Sequence, residues 1–203
     1  MPVDTIDVYV YYRLVPLDAL DNPLVLPLLG LLLERPGHPY ELSARLAERY
    51  PHLPIRRSSV RTLTRSLEAA GLIKARRRQR VARRPARTVY ELTDAGYGHV
   101  RVRVARDIVS ARAGSRSLLL ALSYIAVLPA VDAADALQRR LTSLSAELAR
   151  ASAAHSLPEY QMLEVSYWRE LLQTEIAWMS SLRQRLIAGT IDWPTPAAVE
   201  RER

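Results

Sequence analysis

The stretch that decides the fold runs from Arg56 to Gly71 and has the sequence RRSSVRTLTRSLEAAG. On a helix, where each residue turns the chain by about 100°, Val60, Leu63 and Leu67 fall within roughly 60° of one another and define a core-facing side. The opposite side has small, polar and basic residues: Ser58, Arg61, Thr62, Arg65 and Ala69. Because Gly71 is well suited to end a helix, we predict a helix over residues 58–70, buried on one side and positively charged on the other.

The positive charge of the chain is concentrated around this helix. Residues 55–106 contain 15 basic and 3 acidic residues, a net charge of +12, whereas the whole chain has 29 basic and 21 acidic residues, a net charge of +8. The remaining residues therefore sum to −4, from 14 basic and 18 acidic residues. Such a patch predicts a polyanionic partner, and the helix within it favours double-stranded DNA over a membrane surface.

The neighbouring segments predict a winged helix-turn-helix. Two helices are predicted before the charged helix, at residues 23–34 and 39–49. Two short strands are predicted after it, at 72–73 and 89–92, and a further helix capped by Thr93 follows at 94–108. Three helices followed by a two-stranded β-wing define a winged helix-turn-helix domain, which we place at residues 23–108. The fold class is therefore mainly α.

Residues 1–22 precede this domain and form an N-terminal arm. Apolar and polar residues alternate from Ile6 to Leu14, which is the period of a half-buried strand. Two interpretations remain open: a strand that pairs with a sheet edge or a partner chain, and a loosely held arm.

Candidate DNA-binding residues fall in two groups. The recognition helix and its approach supply Arg56, Arg57, Ser58, Ser59, Arg61, Thr62 and Arg65. The wing supplies Arg76, Arg77, Arg78, Arg80, Arg83, Arg84 and Arg87. Arginine can bond guanine bidentately in the major groove, and Ser or Thr can bond phosphate or base, whereas a basic hairpin can follow the DNA backbone or enter the minor groove. The alternative for the wing is an arginine-rich surface loop without a particular partner.

The second half of the chain predicts an all-helical domain over residues 109–190, followed by a frayed tail at 191–203. Its last helix has two apolar stripes, which implies burial on two sides. One stripe, Val165, Trp168, Leu172, Ile176, Met179 and Leu186, can pack within the chain. The other is our candidate dimer interface: Tyr160, Leu163, Tyr167, Leu171, Trp178 and Leu182. Aromatic residues here would also suit an effector pocket, but packing is the simpler interpretation, so we name no effector residue.

Four sequence blocks resemble the PadR family of bacterial transcriptional regulators. They occur in order as Leu28–Leu32, His38–Leu42, Leu67–Ile73 and Tyr90–Gly96. The second half is similar to the longer PadR proteins, so that the resemblance spans about residues 24–190. It implies a homodimer held by C-terminal helices, a pseudo-palindromic DNA operator, and a repressor that releases DNA when a small aromatic or drug-like ligand binds.

The chain departs from the family pattern at three positions. Pro39 stands where the family usually has glycine, Arg61 where it has tyrosine, and Thr64 where it has leucine. The last two lie on the recognition helix, so the family's target sequence is not carried over. They also keep open a second function, a winged-helix adaptor that binds an acidic protein partner without contacting DNA.

Other classes of function find little support in the sequence. There is no cysteine, and the four histidines are scattered without metal-ligand spacing. We find no nucleophile–base pairing and no phosphate-binding glycine loop, so we expect no enzyme, cofactor or metal. The N-terminus lacks a basic signal-peptide region, and the longest apolar run, 24–33, is too short to span a bilayer. We therefore expect a cytoplasmic protein without a membrane partner.

Overall fold

The computed structural model describes residues 19–51, 53, 55–76, 88–153 and 158–194. Within them it has seven α-helices and two strands: α1 (Val25–Glu34), α2 (Pro39–Arg49), α3 (Arg57–Ala69), β1 (Ile73–Ala75), β2 (Tyr90–Leu92), α4 (Asp94–Ser110), α5 (Arg116–Ser123), α6 (Ala130–Ala151) and α7 (Leu163–Ile187). Short 3-10 turns lie at Ala19–Asp21, Ile125–Val127 and Glu159–Gln161. The predicted fold class is confirmed: a winged helix-turn-helix followed by a helical C-terminal region.

The two strands form an antiparallel wing directly after α3. Ile73 pairs with Leu92, and Ala75 pairs with Tyr90. The Gly37 N–H donates to the Tyr90 carbonyl at 3.0 Å, and the Tyr90 N–H donates back to the Gly37 carbonyl at 2.9 Å. This bridge ties the turn before α2 to the wing, so that α2, α3 and the sheet form one unit.

Two glycines allow the close turn between α3, the wing and α4. Gly71 ends α3 with a φ of +71°, in the left-handed region that favours glycine. A Cβ on Gly96 would lie 2.0 Å from the Leu72 carbonyl oxygen, so only glycine lets α4 approach this turn. The predicted N-cap is confirmed, since the Thr93 hydroxyl accepts the Gly96 N–H at 3.0 Å.

A buried tyrosine pair joins the winged unit to α5. The Tyr50 hydroxyl donates to the Tyr124 hydroxyl at 2.7 Å, and both side chains are buried. The Tyr124 ring lies against Gly30 of α1, where any side chain would overlap it. Burial, and then the hydrogen bond from Tyr50, raise the pKa of the Tyr124 phenol, so this hydroxyl stays protonated. The guanidinium of Arg49 covers the ring at 5.2 Å from its centroid.

In the second half, α6 and α7 pack along each other around a buried ion pair. Arg140 is 1% exposed and pairs with Glu175 of α7. The Arg140 guanidinium also donates to the carbonyls of Ile108 at 3.0 Å and Ala111 at 2.9 Å, at the end of α4. Glu175 in turn accepts the Gly114 N–H at 2.9 Å. This ion pair therefore links the end of α4 to α6 and α7.

The N-terminal arm over residues 1–18 and the tail over 195–203 lie outside the described residues, so the interpretations of those segments stay predictions. Trp193, in the segment expected to be frayed, donates its indole N–H to the Leu128 carbonyl at 2.9 Å and is half-buried. No helix in the described part of the chain is both long and apolar enough to cross a membrane.

Candidate nucleic-acid interface

Helix α3 has one buried and one exposed side, as its sequence predicts. Val60 and Leu67 are fully buried and Leu63 is 5% exposed, so this side packs into the core. The opposite side is exposed to solvent, at Arg57, Ser58, Arg61, Thr62, Arg65 and Ala69. Of the other candidates, Arg56 is exposed just before the helix, and Ser59 is half-buried. The exposed side of α3 therefore presents polar and basic groups on a rigid element.

Thr64 belongs to the core side of α3. It is 1% exposed, and its hydroxyl donates to the Arg61 carbonyl at 2.9 Å, one turn back. This internal hydrogen bond satisfies the hydroxyl in an apolar environment. Arg61 and Thr64 are the two departures from the family pattern on the recognition helix. Of these two, only Arg61 lies on the exposed side.

Ion pairing separates the basic residues of the patch into two groups. Nine of them are described, and five of these pair with carboxylates: Lys74 and Arg76 with Glu91, Arg101 with Asp132, and Arg103 and Arg106 with Asp107. The other four lie on or directly before α3, and none of them has a carboxylate partner among the described residues: Arg56, Arg57, Arg61 and Arg65. The five paired residues share three carboxylates, so most of the unpaired positive charge of the described patch lies on or directly before α3.

The wing arginines are described only in part. Arg76 is half-exposed and paired with Glu91, which reduces its attraction for an external anion. The other predicted wing residues, Arg77, Arg78, Arg80, Arg83, Arg84 and Arg87, lie outside the described residues, so their role stays a prediction.

The acidic residue of α3, Glu68, is tied to the wing. The Tyr90 hydroxyl donates to the Glu68 carboxylate at 3.3 Å. Burial, and then the charge of Glu68, raise the pKa of the Tyr90 phenol, which therefore remains a donor at neutral pH. Glu68 lies in the last turn of α3, two turns of helix from Arg61.

A basic cleft of about 440 Å³ opens between α2, α3 and the wing, and we call it the α2–α3 cleft. Its walls include three of the α3 arginines, Arg57, Arg61 and Arg65, together with Tyr40 of α2. Tyr40 was not among our candidate residues. The sequence could have indicated Tyr40, because it is an aromatic residue beside Pro39 in the first turn of a predicted helix. It also lies within the block His38–Leu42 that resembles the PadR family. The ring is 57% exposed, and the Arg57 guanidinium carbon lies 4.7 Å from its centroid.

The two apolar stripes of α7 differ in burial. On the predicted inner stripe, Leu172 is fully buried and Met179 is 1% exposed. On the predicted outer stripe, Leu163 is 61% exposed, Tyr167 71% and Trp178 51%, while Leu171 and Leu182 are partly buried. Tyr160, which the sequence placed on this helix, is 71% exposed but lies in the 3-10 turn Glu159–Gln161 before α7. A row of exposed aromatic and aliphatic side chains on one helix is typical of a surface that a partner covers.

Within the described residues, no group of three or more His, Asp or Glu side chains comes together in a way that could hold a metal ion. The groups that line the α2–α3 cleft are guanidinium, hydroxyl and aromatic groups, which can bind anions and base edges.

The fold and this exposed basic helix define a winged helix-turn-helix protein. Residues 28–101, from α1 into α4, match the family described as the Transcriptional regulator PadR-like family. This match covers the winged helix-turn-helix segment and does not extend over the second half of the chain, and the matching family is one of transcriptional regulators.

Comparisons over the whole chain are weaker. No curated protein matches significantly. Similar solved structures include Bacillus subtilis PadR in complex with operator DNA, at 18% identity and a TM-score of 0.40, covering 80% of this chain and 98% of that one. A second is smu.1604c from Streptococcus mutans UA159, at 16% identity and a TM-score of 0.39, covering 82% of this chain and 97% of that one. A third is the PadR-like transcriptional regulator BC1756 from Bacillus cereus, at 14% identity and a TM-score of 0.35, covering 81% of this chain and 98% of that one. Because these TM-scores are low, no residue role is transferred from the three structures.

Proposed function

We propose that this protein is a sequence-specific DNA-binding transcriptional regulator that inserts α3 into the major groove. One observation supports this above all: the four described arginines of the patch that lack a carboxylate partner are those on or directly before the exposed side of α3. A folded protein gains little from unpaired like charges on one helix, whereas a polyanion compensates for them.

The exposed residues of α3 divide by their chemistry. Arg61 and Arg65 lie one turn apart on the outward face, where a guanidinium can bond the O6 and N7 of guanine. Ser58 and Thr62 are short enough to bond phosphate or a base edge at close approach. We assign the half-buried Ser59 to the DNA-facing surface of α3 and Arg56 and Arg57 to the start of this helix, where they support that surface. We assign the wing arginines at 76–87 to the DNA backbone or the minor groove.

We further propose that the protein acts as a homodimer through the exposed stripe of α7. A two-fold dimer would present two α3 helices to a pseudo-palindromic operator, with half-sites about one helical turn apart. The exposed Tyr167 and Trp178 support this, because a partner helix would remove their rings from water. The domain limits, 23–108 for DNA binding and 109–190 for dimerisation, are part of the same proposal.

The proposed regulatory direction rests on the family match. We propose a repressor that responds to a small ligand, because residues 28–101 match the PadR-like family and the sequence of the second half resembles that of the longer PadR proteins. Induction would be measured as loss of DNA binding on adding aromatic or drug-like compounds. A set of such compounds that leaves DNA affinity unchanged while enhancing transcription would contradict the repressor role.

DNA binding itself is testable with double-stranded DNA from the region flanking the gene. Fluorescence anisotropy over a series of salt concentrations should show affinity falling steeply as salt rises, because each phosphate contact releases counterions. Arg61→Ala and Arg65→Ala should reduce the preference for this DNA over a scrambled duplex. Arg83→Ala and Arg84→Ala should weaken both duplexes alike. An affinity that barely changes between low and moderate salt would refute DNA binding through this patch.

The adaptor remains as a second candidate because Arg61 occupies an exposed position where the family usually has tyrosine. An adaptor would bind neither duplex at low salt, yet would bind an acidic polypeptide with an affinity that Arg61→Ala lowers. The anisotropy series therefore separates the two functions directly.

A further inference from the structure

The α2–α3 cleft has a feature that the proposed contacts of α3 alone do not use, namely a tyrosine from α2 beneath one of the arginines. We propose that this cleft binds a phosphate of the DNA backbone, with Arg57 as the group that contacts the phosphate and Tyr40 as the residue that positions Arg57. This inference rests on the DNA-binding function proposed above and adds a site to it.

The position of Arg57 is fixed by the fold. It is the first residue of α3, and its guanidinium carbon lies 4.7 Å from the centre of the Tyr40 ring, within the distance of a cation–π interaction. Tyr40 belongs to the first turn of α2, whose start is held by the His38 imidazole accepting the Tyr40 N–H at 3.1 Å. An exposed aromatic ring therefore supports an exposed guanidinium at the mouth of the cleft.

The electrostatics of the cleft favour an anion. Its lining contains three guanidinium groups and no carboxylate. The Ser43 hydroxyl donates to the Pro39 carbonyl at 2.9 Å, within α2, and the Thr64 hydroxyl donates back along α3, so both donors are already used. The acid in the first turn of α2, Glu41, pairs with Arg35 at 2.7 Å. An anion in the cleft would therefore meet positive charge from α3 and the positive end of α2.

Geometry favours a phosphate over a base for Arg57. In helix-turn-helix docking the helix before the recognition helix crosses the DNA backbone, while N-terminal residues of the recognition helix contact base edges. Arg57 is the first residue of α3, but its guanidinium is stacked on Tyr40 of α2, the helix that crosses the backbone, so it is directed to the backbone side. A contact made from the α2 side positions the protein on the duplex without distinguishing sequences.

The experiment compares four variants on two duplexes of equal length, the gene-flanking DNA and its scrambled counterpart, by anisotropy over a salt series. Arg57→Ala should weaken both duplexes by the same factor, about tenfold to a hundredfold, and should flatten the salt slope by about one unit per bound chain. Tyr40→Phe keeps the ring and should bind like the unmodified protein. Tyr40→Ala should weaken both duplexes about two- to fivefold. Arg150→Ala is the control, because it makes the same charge change at an exposed position near the end of α6. It should alter neither the affinity for the duplexes nor the salt slope.

A double variant tests the positioning role separately. In the Arg57→Ala background, Tyr40→Ala should have no further effect, because the ring would have no guanidinium left to position. Effects that simply add would refute that role, and so would a loss with Tyr40→Phe equal to that with Tyr40→Ala. An Arg57→Ala protein with an unchanged salt slope, or with an altered preference between the duplexes, would refute the phosphate contact. If the unmodified protein binds neither duplex in a salt-dependent way, the proposed function itself fails, a result distinct from these.

Discussion

Gly30→Ala should destabilise the protein by about 2 kcal/mol, because the added methyl group would overlap the Tyr124 ring. A Cβ on Gly30 would lie 2.1 Å from Cζ and 2.2 Å from Cε1 of that ring. The ring cannot turn aside freely, since its hydroxyl is bonded to Tyr50 at 2.7 Å and its face is covered by Arg49. Relief of the overlap therefore requires α1 and α5 to separate or the tyrosine pair to break.

The magnitude follows from three contributions to the free energy of unfolding. Alanine in a helix interior is favoured over glycine by about 1 kcal/mol, which opposes the loss. Overpacking of a well-filled core costs typically about 1–3 kcal/mol. Breaking the buried hydrogen bond between the two tyrosines costs roughly another 1 kcal/mol. The expected balance is a net destabilisation of about 2 kcal/mol, toward the upper end if the hydroxyls lose every partner.

Urea unfolding followed by circular dichroism would measure this difference, with Gly98→Ala as a matched control. Gly98 lies inside α4, and apart from its chain neighbours and the backbone of its own helix, nothing lies within 4 Å of the Cβ that alanine would add. This control should stabilise the protein by up to about 1 kcal/mol. In a double variant, Gly30→Ala with Tyr124→Leu, the two losses should be less than additive, because removing the ring removes the overlap. Equal stability of the Gly30→Ala and Gly98→Ala proteins would refute the reasoning.

Three further predictions follow from buried or exposed groups. Glu175→Gln should cost about 3–5 kcal/mol of stability in urea unfolding, because it leaves the Arg140 guanidinium buried without its counter-charge; an unchanged midpoint would contradict this. Burial, and then two neighbouring arginines, lower the pKa of His99, so the unfolded chain binds more protons and stability should fall as pH drops through about 6.5. His99→Gln should reduce that fall in thermal unfolding, and an unaltered pH dependence would count against it. Trp178→Asp should convert dimer to monomer in analytical ultracentrifugation while Gln173→Asp, on another face of α7, should not; a dimeric Trp178→Asp protein would exclude this interface.

The helices of the winged unit are predictable from the sequence because each has a local signal. The apolar spacing of Val60, Leu63 and Leu67 sets the buried side of α3, and Gly71 ends it as expected. Thr93 caps α4 because the hydrogen bond involves a residue only three positions away. Such features depend on neighbours within one or two turns, which periodicity and capping preferences describe well.

Long-range pairings have no such signal. Tyr50 and Tyr124 are separated by 74 positions, and nothing local to either residue indicates the other. The same holds for Arg101, whose partner Asp132 lies on another helix, so the charge count of the patch overstated its free charge. Tyr40 was missed for a related reason. Its interaction with Arg57 depends on how α2 and α3 meet in space, which neither helix specifies alone.

The salt dependence of DNA binding can decide whether the wing takes part. Each chain has four described arginines of the patch without carboxylate partners, all on or directly before α3, so a dimer has eight. If every one of them neutralised a phosphate, the slope of log K against log salt would be about −7, at about −0.9 per contact. Arginines that contact bases reduce this number. A measured slope steeper than about −7 therefore requires further phosphate contacts, for which the six wing arginines at 77–87 are our candidates. Replacing these six arginines with glutamine should make the slope no steeper than about −7. A slope that stays as steep in the glutamine variant would exclude the wing.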